Sequence, residues 1–215
     1  NLNVKLGGAH GGLSVGPDGA SHQALEELAI MRTLPNMTIL APADYHETYK
    51  AVMEAAQING PVYIRFGREK VPTITEPGSP FQVGKANILR EGTDLTIIAC
   101  GTMVAESLTA AKALAETGVQ AEVINLHTIK PIDKKTILES ATKTKAIVTA
   151  EEHQIHGGMG SAVLEVLAQE APVPVELVGV IDSFGESGKP AELAEKYGCT
   201  SANIIQKAQK VLTRK

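Results

Sequence analysis

The order of strand-like and helix-like segments is the feature that most constrains the fold of this chain. A short β-like run at residues 4–9 is followed by a helical pattern at 23–34, a strand at 37–40, a second helix from Asp44 and a strand at 62–66. Strands that alternate with helices are typical of a parallel sheet. The chain is therefore predicted to be an α/β protein.

The first unit, residues 1–71, has about three strands and two helices in this pattern. A parallel sheet normally has more strands than that, with helices covering both faces. We therefore expect a partial domain that lacks its N-terminal part. Ser21 is the expected N-cap of its first helix, which should be largely buried, and Asp44 and Glu47 have capping-box spacing in the second. That second helix should present one face made by Tyr45, Tyr49, Val52 and Ala56.

A second unit, residues 84–215, follows a linker at 72–83 that is rich in proline. It is predicted to be a complete α/β domain with a mostly parallel sheet. Its first two strands, up to Arg90 and from Asp94, flank Glu91-Gly92-Thr93 and indicate a hairpin. The remaining segments are strands at 121–125, 146–150 and 175–180 and helices at 104–116, 133–141, 160–170, 191–196 and 201–212.

Composition excludes several classes of function. A net charge of −4 gives no electrostatic basis for binding nucleic acid or an anionic membrane surface. No apolar run approaches the length of a membrane span, and we expect no membrane partner. Cys100 and Cys199 lie far apart without metal spacing, which favours a reducing, cytoplasmic setting.

The stretch from His10 to His22 is the first candidate site. Four glycines and a proline make its backbone irregular, and it carries two imidazoles and the carboxylate of Asp18 between a strand and a helix. Ligands in α/β proteins usually bind at such loops. On local composition alone, a surface loop with structural glycines explains the pattern equally well.

Two arginines, Arg65 and Arg68, lie at the end of the third strand. The carboxyl ends of parallel strands face the ligand crevice, and the planar fork of an arginine suits a phosphate. The alternative is that each is an ordinary exposed arginine, which is the commoner case for Arg65 and Arg68 taken singly.

The glycine-rich stretch from Glu151 to Gly160 is a further strand-to-helix turn. His153 and His156 stand three residues apart beside two acids, but they are not on a helix that would aim both rings at one ion. Tight packing or an interface explains this turn better than a metal does, and no metal site is predicted in the chain. His46 and His127 are interpreted as surface or packing residues.

These motifs together resemble the C-terminal part of a transketolase, a thiamine-diphosphate enzyme. The run His10-Gly-Gly-Leu-Ser-Val-Gly-Pro-Asp18-Gly-Ala-Ser-His22-Gln23 and the later run Ala29-Ile-Met-Arg-Thr-Leu-Pro-Asn-Met are similar to the end of that family's pyrimidine-binding domain. Residues 84–215 resemble its C-terminal domain, with Glu151-Glu152-His153 and Gly157-Gly-Met-Gly-Ser161 as matching features. Deoxyxylulose-phosphate synthase is the nearest rival, and dehydrogenase beta subunits are more distant.

The resemblance implies roles for four residues. Asp18 would accept a hydrogen bond from a donor-sugar hydroxyl, and His22 would lie near the cofactor and the reacting carbons. His10 and Arg68 would hold the sugar phosphate. The expected activity is transfer of two-carbon ketol units between phosphorylated sugars, with thiamine diphosphate and Mg²⁺ as cofactors.

The resemblance also implies that this chain supplies half a site. The glutamate and aromatics that contact the aminopyrimidine belong upstream of Asn1, and the diphosphate and Mg²⁺ belong to a separate domain. The expected partners are that N-terminal, diphosphate-binding domain or subunit and a second copy of the chain, giving a dimer or heterotetramer. Two alternatives remain open: a 1-deoxyxylulose-5-phosphate synthase-like enzyme, and a non-catalytic interaction module that keeps this fold.

Overall fold

The computed structural model describes residues 1–215 as two sheets with helices packed around them. The strands are β1 (Lys5–Gly8), β2 (Thr38–Leu40), β3 (Val62–Arg65), β4 (Asn87–Arg90), β5 (Leu95–Ala99), β6 (Ala121–Asn125), β7 (Thr128–Lys130), β8 (Ile147–Gln154) and β9 (Val175–Val180). The helices are α1 (Glu27–Thr33), α2 (Tyr45–Gln57), α3 (Met103–Glu116), α4 (Lys134–Thr144), α5 (Met159–Glu170), α6 (Pro190–Tyr197) and α7 (Ser201–Leu212). A 3-10 helix covers Leu13–Asp18.

The first sheet has the strand order β1-β3-β2-β7. Strands β1, β3 and β2 are parallel, as the alternation predicted, and β7 pairs antiparallel with β2. Strand β7 comes from the second unit and was not predicted, because its three residues are too few to give a periodic signal. The two units therefore share this sheet.

The second sheet has the order β4-β6-β5-β8-β9, in which all strands but β4 are parallel. The predicted hairpin of β4 with β5 is wrong, because β4 pairs with β6 instead. The turn after β4 passes the start of β6: Thr93 N and Asp94 N both donate to Gln120 O, at 3.0 and 2.9 Å. A side chain at Gly92 would collide with the backbone of Ala121 there, so the glycine is needed for this close crossing.

The hydrophobic core also crosses between the units. One cluster of 17 buried residues joins Leu28, Met37 and Ile39 of the first unit to Ile124 and Ile129 of the second. Packing on this scale fixes the relative position of the two units, because interiors are close-packed and tolerate little displacement. The two units therefore share one core as well as one sheet.

The first predicted helix is shorter than expected and is not largely buried. Helix α1 begins at Glu27, and Ile30 on it is 56% exposed while Leu28 is fully buried. Ser21 does not cap it; the Ser21 hydroxyl instead pairs with His22 Nδ1 at 3.0 Å. The intervening Ala24 forms a parallel β-bridge with Gly11, and this bridge delays the start of the helix.

Helix α2 has the predicted N-cap, since Asp44 Oδ1 accepts from Glu47 N at 3.0 Å. Its aromatic face, however, is exposed: Tyr45 and Tyr49 are 71% and 61% exposed. The buried face includes Glu47 and the small residues Ala51 and Ala55, and the two alanines let α2 approach the sheet closely. Across the whole chain, no helix is both long enough and apolar enough to traverse a bilayer.

Candidate functional site

The glycine-rich loop, defined here as residues 10–22, connects β1 to the segment before α1 at the carboxyl ends of the parallel strands. Its base is fixed by Gly11 N, which donates to Phe66 O at 2.9 Å, and by Gly12 N, which donates to Ala24 O at 2.8 Å. Gly12 and Gly16 have φ of 93° and 70°, a region that glycine adopts without strain. The loop thereby folds back over the end of β3.

The structure brings the four predicted site residues together on this loop and beside it. Arg68, just beyond β3, forms an ion pair with Asp18 through Nη1, which also donates to Val15 O at 3.2 Å. The rings of His10 and His22 pack edge to face with their centroids 6.4 Å apart. The side chains of Asp18 and Arg68 remain 36% and 42% exposed, so a solute can reach them.

The electrostatics of this cluster favour an ionised Asp18. The hydrogen bond from Arg68 lowers the pKa of Asp18, and the nearby positive charges of Arg68, His22 and His10 act in the same direction. The same hydrogen bond raises the pKa of Arg68. Asp18 is therefore an acceptor across the neutral pH range, as a partner for a hydroxyl donor requires.

The two imidazoles are held differently. His10 has φ of 63°, a left-handed conformation that turns the chain sharply out of β1. His22 pairs through Nδ1 with Ser21, whereas its Nε2 makes no hydrogen bond within the chain. An exposed ring with one nitrogen occupied and the other available is suited to proton transfer or to contact with a ligand.

Arg65 is not a surface residue, contrary to the commoner case for a single arginine. It is 7% exposed and forms an ion pair with Glu27. Its Nη2 donates to Ala24 O at 3.2 Å and to Glu152 O at 2.8 Å. The guanidinium lies against Gly11 with its Nε and Nη2 occupied by the protein, so Arg65 supports the base of the loop, and it also lines the cleft beside the loop.

The end of β8 is hydrogen-bonded to the start of α5, across the glycine-rich turn between them. Strand β8 extends through Glu151, Glu152 and His153, which were predicted to lie in the turn. Glu151 accepts from Met159 N at 2.6 Å and from Gly160 N at 2.8 Å, at the start of α5, and burial raises its pKa to about 7. No group of three or more His, Cys, Asp or Glu side chains in the chain is arranged to hold a metal ion.

Glu152 contacts the glycine-rich loop, and this contact was not predicted from the sequence. Its Oε1 accepts from Ser14 N at 2.6 Å and its Oε2 from the Thr102 hydroxyl at 2.7 Å. An acidic pair at a strand end gave no indication of which acid turns towards the loop, because that depends on the position of β8 in the sheet. Thr102, at the start of α3, supports Glu152 by donating this second hydrogen bond.

A cleft of about 410 Å³ opens beside the loop, between the end of β3 and the start of α2. The turn Gly101–Thr102 of the second unit forms its far wall, and Gly11 and Phe66 lie on the near side. Lys70 and Glu69 line its mouth, next to Arg68 in the chain. The cleft is thus an open depression formed by both units, and it lies beside His10, Asp18, His22 and Arg68, none of which lines it.

Comparison with known proteins gives the same family over both units. The pyrimidine binding domain of transketolase matches residues 1–73, and the C-terminal domain of transketolase matches residues 84–204. The chain is 45% identical to the 6-deoxy-6-sulfo-D-fructose transketolase subunit SqwH of Clostridium sp., over all of this chain and 66% of that protein. It is 40% identical to a 1-deoxy-D-xylulose-5-phosphate synthase of Desulfitobacterium hafniense, over 93% of this chain and 32% of that enzyme.

Among solved structures, a split-gene transketolase described as an inactive beta4 tetramer superposes with a TM-score of 0.94. The two sequences are 50% identical, and the match covers 100% of this chain and 68% of the other. This chain spans about two thirds of the length of the first curated relatives that it matches, at 66% and 65%.

Proposed function

The chain belongs to the transketolase family, and we propose that it is the part of a transketolase that carries the pyrimidine-side loop and the C-terminal domain. The reaction is the transfer of two-carbon ketol units between phosphorylated sugars. The single observation that carries this proposal is the convergence of His10, Asp18, His22 and Arg68 at one exposed edge of the first sheet.

Each of the four residues has a role that its surroundings support. Asp18 accepts a hydrogen bond from a hydroxyl of the donor sugar, because Arg68 keeps its carboxylate ionised. His22 presents its available Nε2 to the reacting carbons and to the cofactor. His10, whose ring packs edge to face with that of His22, is assigned with Arg68 to the sugar phosphate, as the resemblance to the family implies.

Arg68 can bind a phosphate without releasing Asp18. Only its Nη1 is engaged within the chain, by Asp18 and Val15 O, so Nε and Nη2 are unoccupied. Two N–H groups on one edge of a guanidinium match two oxygens of a phosphate. The ion pair therefore orients the arginine while leaving its binding edge free.

Thiamine diphosphate is the proposed cofactor, and the exposed ring of His22, with its free Nε2, is the feature of the glycine-rich loop that fits a group approaching it. Gly12, Gly16 and Gly19 face inward, against Glu152, Pro190 and Ser187, so they let the loop pack on the second unit and do not contact the cofactor. When bound, thiamine diphosphate supplies carbanion stabilisation. The residues of this chain orient the sugar, hold its phosphate and handle protons at His22 Nε2.

The proposed partners are an N-terminal, diphosphate-binding domain or subunit, which also holds Mg²⁺, and a second copy of this chain. Support comes from a relative that is itself a transketolase subunit and from a neighbour that is a beta4 tetramer. We propose a cytoplasmic location, since both cysteines are free and buried as in proteins of reducing compartments.

A 1-deoxyxylulose-5-phosphate synthase-like enzyme is the second candidate, favoured by the 40% identity to such a synthase. The two differ in the donor, which is a ketose phosphate for one and pyruvate for the other. A non-catalytic module of the same fold would bind without turnover.

The decisive experiment combines this protein with the subunit or domain that binds the diphosphate, adds thiamine diphosphate and Mg²⁺, and supplies each donor in turn. Ketol transfer from a ketose phosphate to an aldose phosphate is the expected result. Turnover of pyruvate alone would establish the synthase, and cofactor binding without turnover of either donor would establish the non-catalytic module.

A further inference from the structure

Glu152 reaches from one unit into the loop of the other. It lies on β8 of the second sheet, is 7% exposed, and its Oε1 accepts from Ser14 N at 2.6 Å. Its Oε2 accepts from the Thr102 hydroxyl at 2.7 Å. Both carboxylate oxygens are therefore occupied, one by the glycine-rich loop and the other by the N-terminal end of α3.

The glycine-rich loop is shaped to lie directly on this carboxylate. Gly12 has φ of 93°, and a Cβ at this position would come within 2.5 Å of the carboxyl carbon of Glu152 and 2.7 Å of both oxygens. The backbone passes over Glu152 with no side chain between them. A glycine is required here for the close approach as well as for the dihedral angle.

The main chain of Glu152 is fixed from the opposite direction. Arg65 Nη2 donates to Glu152 O at 2.8 Å, and the same guanidinium is anchored by Glu27 and by Ala24 O. The carboxylate thus projects from a backbone that has little freedom. The position of the carboxylate therefore determines the position of Ser14 N, because β8 is held in place by Arg65.

Ser14 is the second residue of the 3-10 segment Leu13–Asp18, which is kinked at Gly16, where φ is 70°. Glu152 holds Ser14 N, the adjacent Val15 O accepts from Arg68 Nη1, and the same Nη1 pairs with Asp18, so the position of Ser14 reaches Asp18 through Arg68. We propose that Glu152 is a positioning residue, by which the C-terminal domain sets the placement of Asp18 and Arg68 for the sugar phosphate. This inference rests on the proposed function of those two residues.

Three variants and one control separate positioning from general stability. Glu152→Ala removes both acceptors, whereas Glu152→Gln keeps an acceptor for Ser14 N and offers an amide donor to Thr102. Thr102→Val removes only the support of the second oxygen. The control is Asp133→Ala, because Asp133 is also buried and accepts from two backbone amides, Ala86 N and Thr136 N, but does not touch the loop.

The first measurement is amide hydrogen exchange of the full chain, which needs no activity. Loss of a hydrogen bond to a carboxylate should speed exchange of the Ser14 amide, and of the adjacent Val15 amide, by about 10- to 100-fold in Glu152→Ala. Glu152→Gln should stay within about threefold of wild type, with Thr102→Val between the two. Asp133→Ala should leave the rate at Ser14 unchanged relative to the rest of the chain.

The second measurement uses the complete enzyme with its diphosphate-binding partner. The ratio of kcat/KM for a phosphorylated donor to that for an unphosphorylated one should fall about 10-fold in Glu152→Ala, mainly through KM. Rescue by Glu152→Gln and no change in Asp133→Ala are expected.

Several outcomes would overturn the proposal. Unchanged exchange at Ser14 in Glu152→Ala would show that the loop holds its position without the carboxylate. A kinetic ratio equal to wild type, with a lower Tm like that of Asp133→Ala, would show a purely structural role. If Glu152→Ala does not fold, wild-type exchange at Ser14 in the folding-competent Thr102→Val variant would contradict the idea equally. Failure of the proposed function is distinct, because it appears as absence of ketol transfer in the wild-type enzyme.

Discussion

Arg68 has two unoccupied donor nitrogens in the structure, and it was expected to bind the sugar phosphate. Because its Nε and Nη2 are unoccupied, Arg68→Ala should raise KM for phosphorylated donors about 10- to 100-fold while leaving kcat nearly intact. Arg68→Lys should recover only part of the loss, since an ammonium lacks the planar fork. Steady-state kinetics of the complete enzyme measure this. Arg214→Ala is the matched control, an exposed arginine paired with Glu176 far from the site.

His22 should affect the chemical step and not the binding of phosphate. With Nε2 available for proton transfer, His22→Ala should lower kcat by about 10²–10⁴-fold, with a smaller change in KM. Ser21→Ala tests the orientation of the ring, because it removes only the partner of Nδ1, and a decrease below tenfold is expected there. Wild-type kcat in His22→Ala would mean that the histidine is a bystander.

His127 should contribute to the loss of stability at acid pH. Burial lowers its pKa to about 4, so between pH 6.5 and 4 the unfolded chain takes up a proton that the folded chain does not. The unfolding free energy should therefore fall as pH decreases, by about 3 kcal/mol from this residue. His153, whose pKa is also lowered to about 4, causes a further loss of stability as pH falls. Glu151, whose pKa is raised to about 7, gains stability over the same range and offsets most of the loss from His153.

Denaturant unfolding of His127→Phe at pH 7 and pH 4 measures this contribution. The aromatic replacement keeps the stacking on Phe81, where the ring centroids are 4.2 Å apart, but cannot titrate. The difference in unfolding free energy between the two pH values should shrink by about 3 kcal/mol. An unchanged difference would assign the acid sensitivity to other groups.

At the residue scale, the sequence allowed candidate site residues to be chosen where the side chains share one loop or one strand end. His10, Asp18 and His22 are close in sequence, and Arg68 follows from the rule that strand ends face the crevice. It could not predict Glu152, which is 138 residues from Ser14 and meets it only because the second sheet packs beside the first. It also misjudged Arg65, since a buried arginine depends on partners such as Glu27 that have no fixed spacing.

At the element scale, Asp44 joins a helix to the linker. Besides capping α2, it accepts from Ile74 N at 2.8 Å, from Thr75 N at 2.6 Å and from the Thr75 hydroxyl. Burial alone would raise the pKa of Asp44, but these hydrogen bonds lower it, so the carboxylate is favoured.

Asp44→Ala should therefore cost about 3 kcal/mol of unfolding free energy, more than a typical cap. Thr200→Ala is the control: Thr200 caps α7 through a single bond to Asn203 N at 3.3 Å, and about 1 kcal/mol is expected there. Chemical denaturation compares the two. Equal losses would show that the linker contacts of Asp44 contribute little.

The elements with clear periodicity were predicted well, and β6, β9 and α7 have the predicted bounds. The hairpin failed because pairing of β4 with β6 depends on the crossing at Gly92, a tertiary contact. The aromatic face of α2 was identified from its spacing, but its exposure was not. A stripe at helical spacing indicates an apolar face but does not indicate whether this chain covers it.

At the scale of the whole molecule, the shared sheet and shared core predict that the two units unfold together. The chain has no Trp and four Tyr, of which Tyr197 alone lies in the second unit. In Tyr197→Phe, tyrosine fluorescence therefore reports only the first unit, while circular dichroism reports both. The two thermal midpoints should coincide. Midpoints separated by several degrees would indicate independent units.

The contribution of β7 to the first sheet has a consequence for recombination between relatives. A crossover in the linker at 72–83 looks natural from the sequence, yet it would place a foreign β7 against the native β2. Their pairing, Ile39 with Lys130 and Leu40 with Thr128, is made by backbone groups and is tolerant of sequence, but Ile129 enters the core beside Ile39. Chimaeras should therefore retain the parental residues 128–130 together with the first unit, so that the inherited block is discontinuous in the gene.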